Sequence, residues 1–90
     1  ATLNPHDRTR TAGGSSGGAA AALACRMVAV ADGSDMMGSL RNPAAFCNVY
    51  GFRPTWGIVP ADPAGDTFSA TLSTEGPMAR DVADLAALLA

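Results

Sequence analysis

Two short clusters of glycine and serine, joined by an alanine-rich segment, constrain the fold of this 90-residue chain most strongly. The first cluster is Gly13–Gly18 (GGSSGG) and the second is Asp32–Arg41 (DGSDMMGSLR), which places Ser15 and Ser39 24 positions apart. A helix of about eleven residues and a strand of about five fit this interval with tight turns between them. The spacing therefore favours two serine hydroxyls at one edge of a sheet, as in an active site. A flexible surface linker is the alternative for the first cluster taken alone.

The first cluster precedes a predicted helix over Gly17–Ala24. Its run of alanines is close to the best helix-forming composition, and Ser15 or Ser16 is expected to cap its N-terminus. The free N–H groups and partial positive charge at that end would stabilise an anion formed near these serines.

A short buried strand is predicted next, over Met27–Ala31, with apolar residues on both faces. Asp32 and Gly33 are expected to end it. The second cluster would then lie at the C-terminal end of a strand, where open α/β sheets usually place their sites.

The two clusters, at this spacing, resemble those of the amidase signature family, whose members hydrolyse or transfer amides with a Ser–Ser–Lys triad. The resemblance extends through nearly the whole chain and includes further motifs: Asn4-Pro5, Arg10-Thr11, the segment 42–54 (NPAAFCNVYGFRP), Thr74–Arg80 and Asp84. It implies an α/β fold with a mixed β-sheet covered by helices on both sides. Residues 1–90 would form a fragment of one such domain.

The resemblance also implies roles for particular residues. Ser39 would be the nucleophile that becomes acylated, and Ser15 would be the bridging serine that relays the proton to a lysine. The Gly14–Ser15 peptide bond would be cis. The donors of the oxyanion hole would be the backbone N–H groups of three consecutive residues: Met36, Met37 and Gly38. Met37 occupies a place that is glycine in the commonest family form, which leaves the substrate range open.

Four polar residues are expected to support these serines. Asp35 and Arg41 flank the nucleophile, and we expect their charges to pair and hold the turn, in preference to a role in acid catalysis. Ser16 and Ser34 are expected to supply hydrogen bonds, because a nucleophile needs surrounding groups that fix its direction.

The family's lysine has no counterpart here, since all six basic residues are arginines. The chain is therefore either a truncated piece of a working amidase or an inactive remnant, and the presence of both serines favours the first. It begins without methionine and stops inside an unfinished helical pattern, so we expect a segment of a longer enzyme. The 90 residues alone are expected to be inactive.

Three functions remain in view. The first is hydrolysis of a small linear amide through an acyl-enzyme. The second, within the same family, is the glutamine-hydrolysing subunit of a tRNA-dependent amidotransferase. The third is a non-catalytic module that binds an anion at the helix N-terminus, although the sequence lacks both the lysine of a P-loop and the glycine spacing of a dinucleotide-binding fingerprint.

Composition limits the partners. The net charge of −2 comes without any basic run, so direct contact with nucleic acid is not expected. The apolar stretches are too short for a membrane span. Cys25, Cys47 and a single histidine make a poor metal site, and no metal or cofactor is expected. Reduced cysteines fit a cytoplasmic location. A homodimer is left open for the full-length protein.

The remaining elements are predicted more coarsely. Residues 1–12 are expected to form an extended loop, in which His6 is disfavoured as a general base, and residues 61–71 another loop. Trp56 is expected in the core, and Cys47 as a small buried hydrophobe. The other predicted elements are a short helix or turn at Leu40–Phe46 with Pro43 in its first turn, a strand at Val49–Arg53, and an amphipathic helix at Ala79–Ala90.

Overall fold

The computed structural model describes residues 1–59 and 72–90. The predicted loop at 61–71 lies outside these residues. In the described part of the chain the strands form a two-stranded sheet, β1-β2, and a three-stranded sheet of order β3-β5-β4. The elements are β1 Leu3–Asn4, β2 Asp7–Thr11, α1 Gly17–Ala24, β3 Val30–Asp35, α2 Arg41–Cys47, β4 Tyr50–Gly51, β5 Thr74–Ala79 and α3 Val82–Leu89.

Strand β5 is the centre of the three-stranded sheet and pairs antiparallel with both neighbours. Its register with β3 runs from Val30 opposite Ala79 to Asp35 opposite Thr74. The end of β3, where the second serine cluster continues, therefore lies beside the start of β5. The sequence pattern predicts no strand in this segment, since Gly76-Pro77 is a pair that usually disfavours one.

Gly76 allows β5 to approach the chain that follows β4. A Cβ atom at this position would overlap the carbonyl oxygen of Phe52 and would lie 3.0 Å from Cδ of Pro54. The N–H group of Phe52 donates to the carbonyl oxygen of Pro77 at 3.1 Å, which continues the pairing past the two residues of β4. The absence of a side chain at Gly76 thus sets where residues 52–54 run.

Helix α1 occupies the residues predicted for it and begins after Ser16, which stands at the N-cap position without a side-chain hydrogen bond. It ends in a Schellman motif. Arg26 takes a left-handed conformation with φ 59°, its N–H donates to Leu23 O, and the N–H of Met27 donates to Ala22 O. The helix terminus thus uses the backbone of both residues that follow its C-cap.

This terminus corrects the prediction for β3. The sequence predicts a strand at Met27–Ala31 that is buried on both faces, but the strand begins at Val30, and Met27 is 76% exposed. The Schellman motif takes Met27 out of extended conformation, and Asp32 and Gly33 lie inside the strand because they pair with Pro77 and Gly76. The second serine cluster still follows the C-terminal end of β3.

The other elements differ from their predictions mainly at their ends. The N-terminal residues form the β1-β2 hairpin instead of a loop. Helix α2 covers Arg41–Cys47, one residue later than predicted, and ends at Asn48 with φ 58°. The strand predicted at Val49–Arg53 is reduced to β4, Tyr50–Gly51.

Helix α3 begins three residues later than predicted because Ala79 still belongs to β5. Asp81 is its N-cap, and its side chain accepts a hydrogen bond of 2.8 Å from the N–H group of Asp84. Leu85 and Leu89 are half-buried, whereas Val82 is 58% exposed. In residues 1–59 and 72–90 there is no helix long and apolar enough to cross a membrane.

The core lies between α1, α2 and the central strand. Its buried members are Ala12, Ala20, Leu23, Leu40, Ala44, Cys47 and Met78. The prediction that Cys47 is buried is confirmed, and both cysteines are free thiols. The prediction for Trp56 is wrong, since its side chain is 54% exposed in the turn after β4.

Candidate active site

The two serine clusters meet through their backbones. The N–H group of Ser16 donates to the carbonyl oxygen of Ser39 at 3.0 Å. Ser15 and Ser16 precede the first turn of α1, while Ser39 lies in the turn that joins β3 to α2. Ser15 is exposed and Ser39 is half-buried. The fold thus brings together the two loops that the sequence predicts at one edge of the sheet.

The first loop has the backbone that the family resemblance implies. The Gly14–Ser15 peptide bond is cis. Gly13 has φ +84°, and its N–H donates to Oγ1 of Thr11 at 3.0 Å. A Cβ atom at Gly13 would lie 3.1 Å from the ring of Phe46 and 3.3 Å from the backbone nitrogen of Pro43. A residue with a side chain would be strained here, so glycine lets the loop pack directly against α2.

The second loop is organised around the carboxylate of Asp35, whose side chain is fully buried. Oδ1 accepts the N–H of Gly38 at 2.8 Å, and Oδ2 accepts the backbone N–H of Arg41 at 3.2 Å. The Arg41 guanidinium adds a two-point contact, from Nε to Oδ2 at 2.8 Å and from Nη2 to Oδ1 at 3.0 Å. The pairing of Asp35 with Arg41 expected from the sequence is therefore present.

These contacts set the charge of the pair. The hydrogen bonds from the Arg41 side chain, followed by those from the backbone of Gly38 and Arg41, hold the pKa of Asp35 well below its usual range, although burial opposes them. The same contact raises the pKa of Arg41. Asp35 is therefore a fixed anion at neutral pH, which suits a structural role and does not suit an acid catalyst.

The three expected oxyanion donors are not equivalent. The N–H of Gly38 already donates to Asp35. For the N–H groups of Met36 and Met37, residues 1–59 and 72–90 contain no hydrogen-bond acceptor. Gly38 has φ +102°, and a Cβ atom there would lie 2.7 Å from Nδ2 of Asn42, so glycine is required on both counts. The Met37 side chain is 85% exposed.

The two supporting serines are placed differently. Ser16 contacts β3, since a Cβ atom built at Gly33 would lie 2.6 Å from its Oγ atom. Ser34 lies within β3, half-buried and opposite Glu75. Ser16 is thus at the contact between the first loop and the strand, and Ser34 directly precedes Asp35.

Two arginines that the sequence pattern does not single out also contact this framework. Nε of Arg53 lies 3.8 Å from Oδ1 of Asp35. Arg80 donates from Nη1 to the carbonyl oxygens of Leu23 and Val28, at 3.1 and 2.6 Å, and so joins the end of β5 to the C-terminus of α1. Neither contact follows a local sequence period, because both depend on how the strands pair.

The histidine lies away from the serines. Nε2 of His6 is 2.8 Å from the carbonyl oxygen of Cys47, which explains why it is not placed to accept a serine proton. Within the described residues no group of His, Cys, Asp or Glu side chains forms a metal site. A cleft of about 470 Å³ adjoins the start of the first loop, and its lining consists of Asn4, Arg10, Thr11 and Phe46.

Known proteins share this architecture. The family model described as Amidase matches residues 1–90. A subunit of glutamyl-tRNA(Gln) amidotransferase from Thermus thermophilus is 52% identical over 88 residues, which cover 98% of this chain and 18% of that protein. The chain belongs to the amidase signature family, and it spans about 18% of the length of this relative.

Solved structures of the family carry the same fold over this segment. Native peptide amidase from Stenotrophomonas maltophilia is 42% identical, with a TM-score of 0.88, and the match covers 98% of this chain and 18% of that one. A bacterial aryl acylamidase of the amidase signature family is 44% identical, with a TM-score of 0.89 and the same coverage. The fold class expected from the sequence, a segment of the α/β amidase signature fold with mixed sheets and helices, is confirmed.

Proposed function

We propose that this chain is the serine-bearing part of an enzyme that hydrolyses a small linear amide, with Ser39 as the nucleophile and Ser15 as the bridging serine. The observation that carries the proposal is the 3.0 Å hydrogen bond from Ser16 N–H to Ser39 O, which holds the two loops together. Membership of the amidase signature family supports it.

In the proposed reaction the Ser39 oxygen forms a bond to the amide carbonyl carbon, and its proton passes to Ser15. Ser15 in turn passes a proton to the base and later returns one to the leaving nitrogen as the C–N bond breaks. The amine departs and an ester to Ser39 remains. Water then attacks this ester, releases the carboxylic acid and restores the Ser39 hydroxyl.

The base belongs to a part of the enzyme outside these residues, because the chain contains no lysine. An unprotonated lysine can replace histidine in serine hydrolases, and the family resemblance places it before the first serine loop. The isolated 90 residues are accordingly proposed to be inactive.

The N–H groups of Met36 and Met37 are the proposed donors to the oxyanion. They directly precede the turn that ends at Ser39, and their backbone hydrogen-bonding capacity is not used by the described residues. The Gly38 N–H would join them by sharing its hydrogen bond with Asp35. Loss of one oxyanion donor typically costs about 10² to 10³ in rate.

The test uses a form of the protein extended upstream to include the region that would carry the lysine, here called the extended form. It is exposed to a serine-directed fluorophosphonate and its intact mass is measured. We expect one adduct, abolished by Ser39→Ala and strongly slowed by Ser15→Ala. Thr55→Ala, which removes an exposed hydroxyl after β4, is the control and should label normally.

Absence of an adduct on the extended form would contradict the proposal and favour an inactive remnant or an anion-binding module. An adduct that persists in Ser39→Ala would contradict the assignment of the nucleophile. Labelling of the 90 residues alone would contradict the need for a base outside them.

A second candidate is the glutamine-hydrolysing subunit of a tRNA-dependent amidotransferase. The 52% identity to the Thermus thermophilus amidotransferase subunit over 88 residues favours it. Ammonia release from glutamine that requires a partner subunit would support this candidate. Partner-independent hydrolysis of simple amides would support the first.

A further inference from the structure

Arg53 approaches the nucleophile turn from the chain that follows β4. Its Nε atom lies 3.8 Å from Oδ1 of Asp35, the same oxygen that accepts the N–H of Gly38 at 2.8 Å. Its Nη2 donates to the carbonyl oxygen of Leu72 at 2.6 Å. One guanidinium thus contacts both the carboxylate that shapes the turn before Ser39 and the chain that leads into β5.

The backbone determines this position. Phe52 N–H is bonded to Pro77 O, and Gly76 leaves room for the Phe52 carbonyl, so residues 52–54 run along β5. Arg53 therefore begins from a fixed point on the sheet. Its side chain is 31% exposed, compared with 51% for Arg41. Arg53 is the more enclosed of the two arginines that face Asp35.

From this geometry we infer that Arg53 is a positioning residue for Ser39, which fixes the Asp35 carboxylate and, through Gly38, the turn that presents the nucleophile. The inference rests on the proposed function of Ser39. Arg53 reaches no reacting atom itself. Its contribution is to connect the turn to the central strand, whereas Arg41 lies within the segment that the turn leads into.

The two contacts require a guanidinium. Nε and Nη2 donate in different directions from one rigid plane, toward Asp35 and toward Leu72 O. A lysine ammonium would retain the charge but would not be expected to satisfy both acceptors. Arg53→Lys should therefore fall between the native protein and a variant without charge.

The test compares fluorophosphonate labelling of Ser39 in the extended form and in its Arg53→Met and Arg53→Lys variants. Since small displacements of reacting groups cost up to about 10² in rate, we expect Arg53→Met to lower the maximal labelling rate about tenfold, with the half-saturating probe concentration unchanged. Arg53→Lys should recover part of that loss. Arg8→Met, which removes an exposed arginine of β2, is the matched control and should label at the native rate.

A double-mutant cycle with Asp35→Asn separates positioning from general stability. If Arg53 acts through Asp35, Arg53→Met should cause little further loss in an Asp35→Asn background. Equal labelling of Arg53→Met, Arg8→Met and the native protein would overturn the inference alone, and so would full additivity in the cycle. Absence of Ser39 labelling in the native extended form would overturn the proposed function and this inference with it.

Discussion

Gly33 of β3 lies directly against the side chain of Ser16: a Cβ atom at Gly33 would stand 2.6 Å from Oγ of Ser16 and 3.1 Å from its Cβ. Both distances are shorter than ordinary van der Waals contact, so a side chain at Gly33 would have to displace Ser16. The first serine loop thus depends on a position in the strand that leads to the second one.

Gly33→Ala should therefore slow the labelling of Ser39 by about tenfold or more, because the displaced Ser16 is bonded to Ser39 and adjoins Ser15. The measurement is the labelling rate of the extended form. Gly18→Ala is the matched control, since a Cβ atom there meets nothing within 4 Å. This control should label normally and gain up to about 1 kcal/mol in stability, as alanine does over glycine in a helix. Equal rates for both variants would refute the prediction.

Asp35 should make stability depend on acid. Its pKa is lower in the folded chain than in the unfolded chain, so the unfolded state takes up the proton first as pH falls. The stabilisation is complete above the ordinary carboxyl pKa of about 4 and is progressively lost below it. We expect the free energy of unfolding to decrease between about pH 5 and pH 3, and Asp35→Asn to have a shallower slope, in urea titrations at several pH values.

Asp7→Asn provides the comparison for this experiment. Asp7 also has a lowered pKa, caused by hydrogen bonds from the side chain and backbone of Thr9, but its carboxylate is solvent-exposed. Its removal should change the slope less than removal of Asp35. Identical slopes for the native protein and Asp35→Asn would show that the buried ion pair does not govern the acid response.

Gly76→Ala should destabilise the fold. The added methyl group would overlap the carbonyl oxygen of Phe52, which is backbone and cannot move without disturbing the pairing to Pro77. Overpacking of this kind typically costs about 1–3 kcal/mol. Chemical denaturation of the extended form measures the loss, again with Gly18→Ala as control. A stability change below about 0.5 kcal/mol, the usual range for neutral surface changes, would contradict the close approach.

Asp81→Ala should weaken α3. The Asp81 carboxylate accepts the N–H of Asp84 at 2.8 Å, and loss of an N-cap acceptor typically costs about 1 kcal/mol. Asp81→Ser retains a capping oxygen and should cost little. Amide hydrogen exchange in residues 82–89 distinguishes them: protection should fall in the alanine variant and persist in the serine variant. Equal protection in both would exclude a capping role.

The helices are predictable because their signals are local. Alanine composition defines α1, and Pro43 in the first turn marks α2. Strand β5 is not predictable in the same way, since Gly76-Pro77 disfavours a strand and its existence depends on partners on both sides. The predicted start of β3 is wrong because Arg26, a residue with no intrinsic preference for positive φ, ends α1 in the left-handed conformation.

The candidate site divides along the same line. The serine clusters and the Asp35–Arg41 pair are close in sequence, so motif and charge are sufficient to find them. The contact of Arg53 with Asp35 crosses from the chain after β4 to the end of β3, and it depends on strand register that the sequence does not display. The engagement of Gly38 N–H by Asp35 requires coordinates for the same reason.

The bond between Ser16 N–H and Ser39 O is made entirely by main-chain atoms. Every residue type supplies the carbonyl, and every type except proline supplies the donor. Replacement of either reactive hydroxyl therefore leaves the join between the loops intact. An unreactive Ser39→Ala protein would thus keep the shape of the native site, which makes it suited to capturing an uncleaved amide for crystallography.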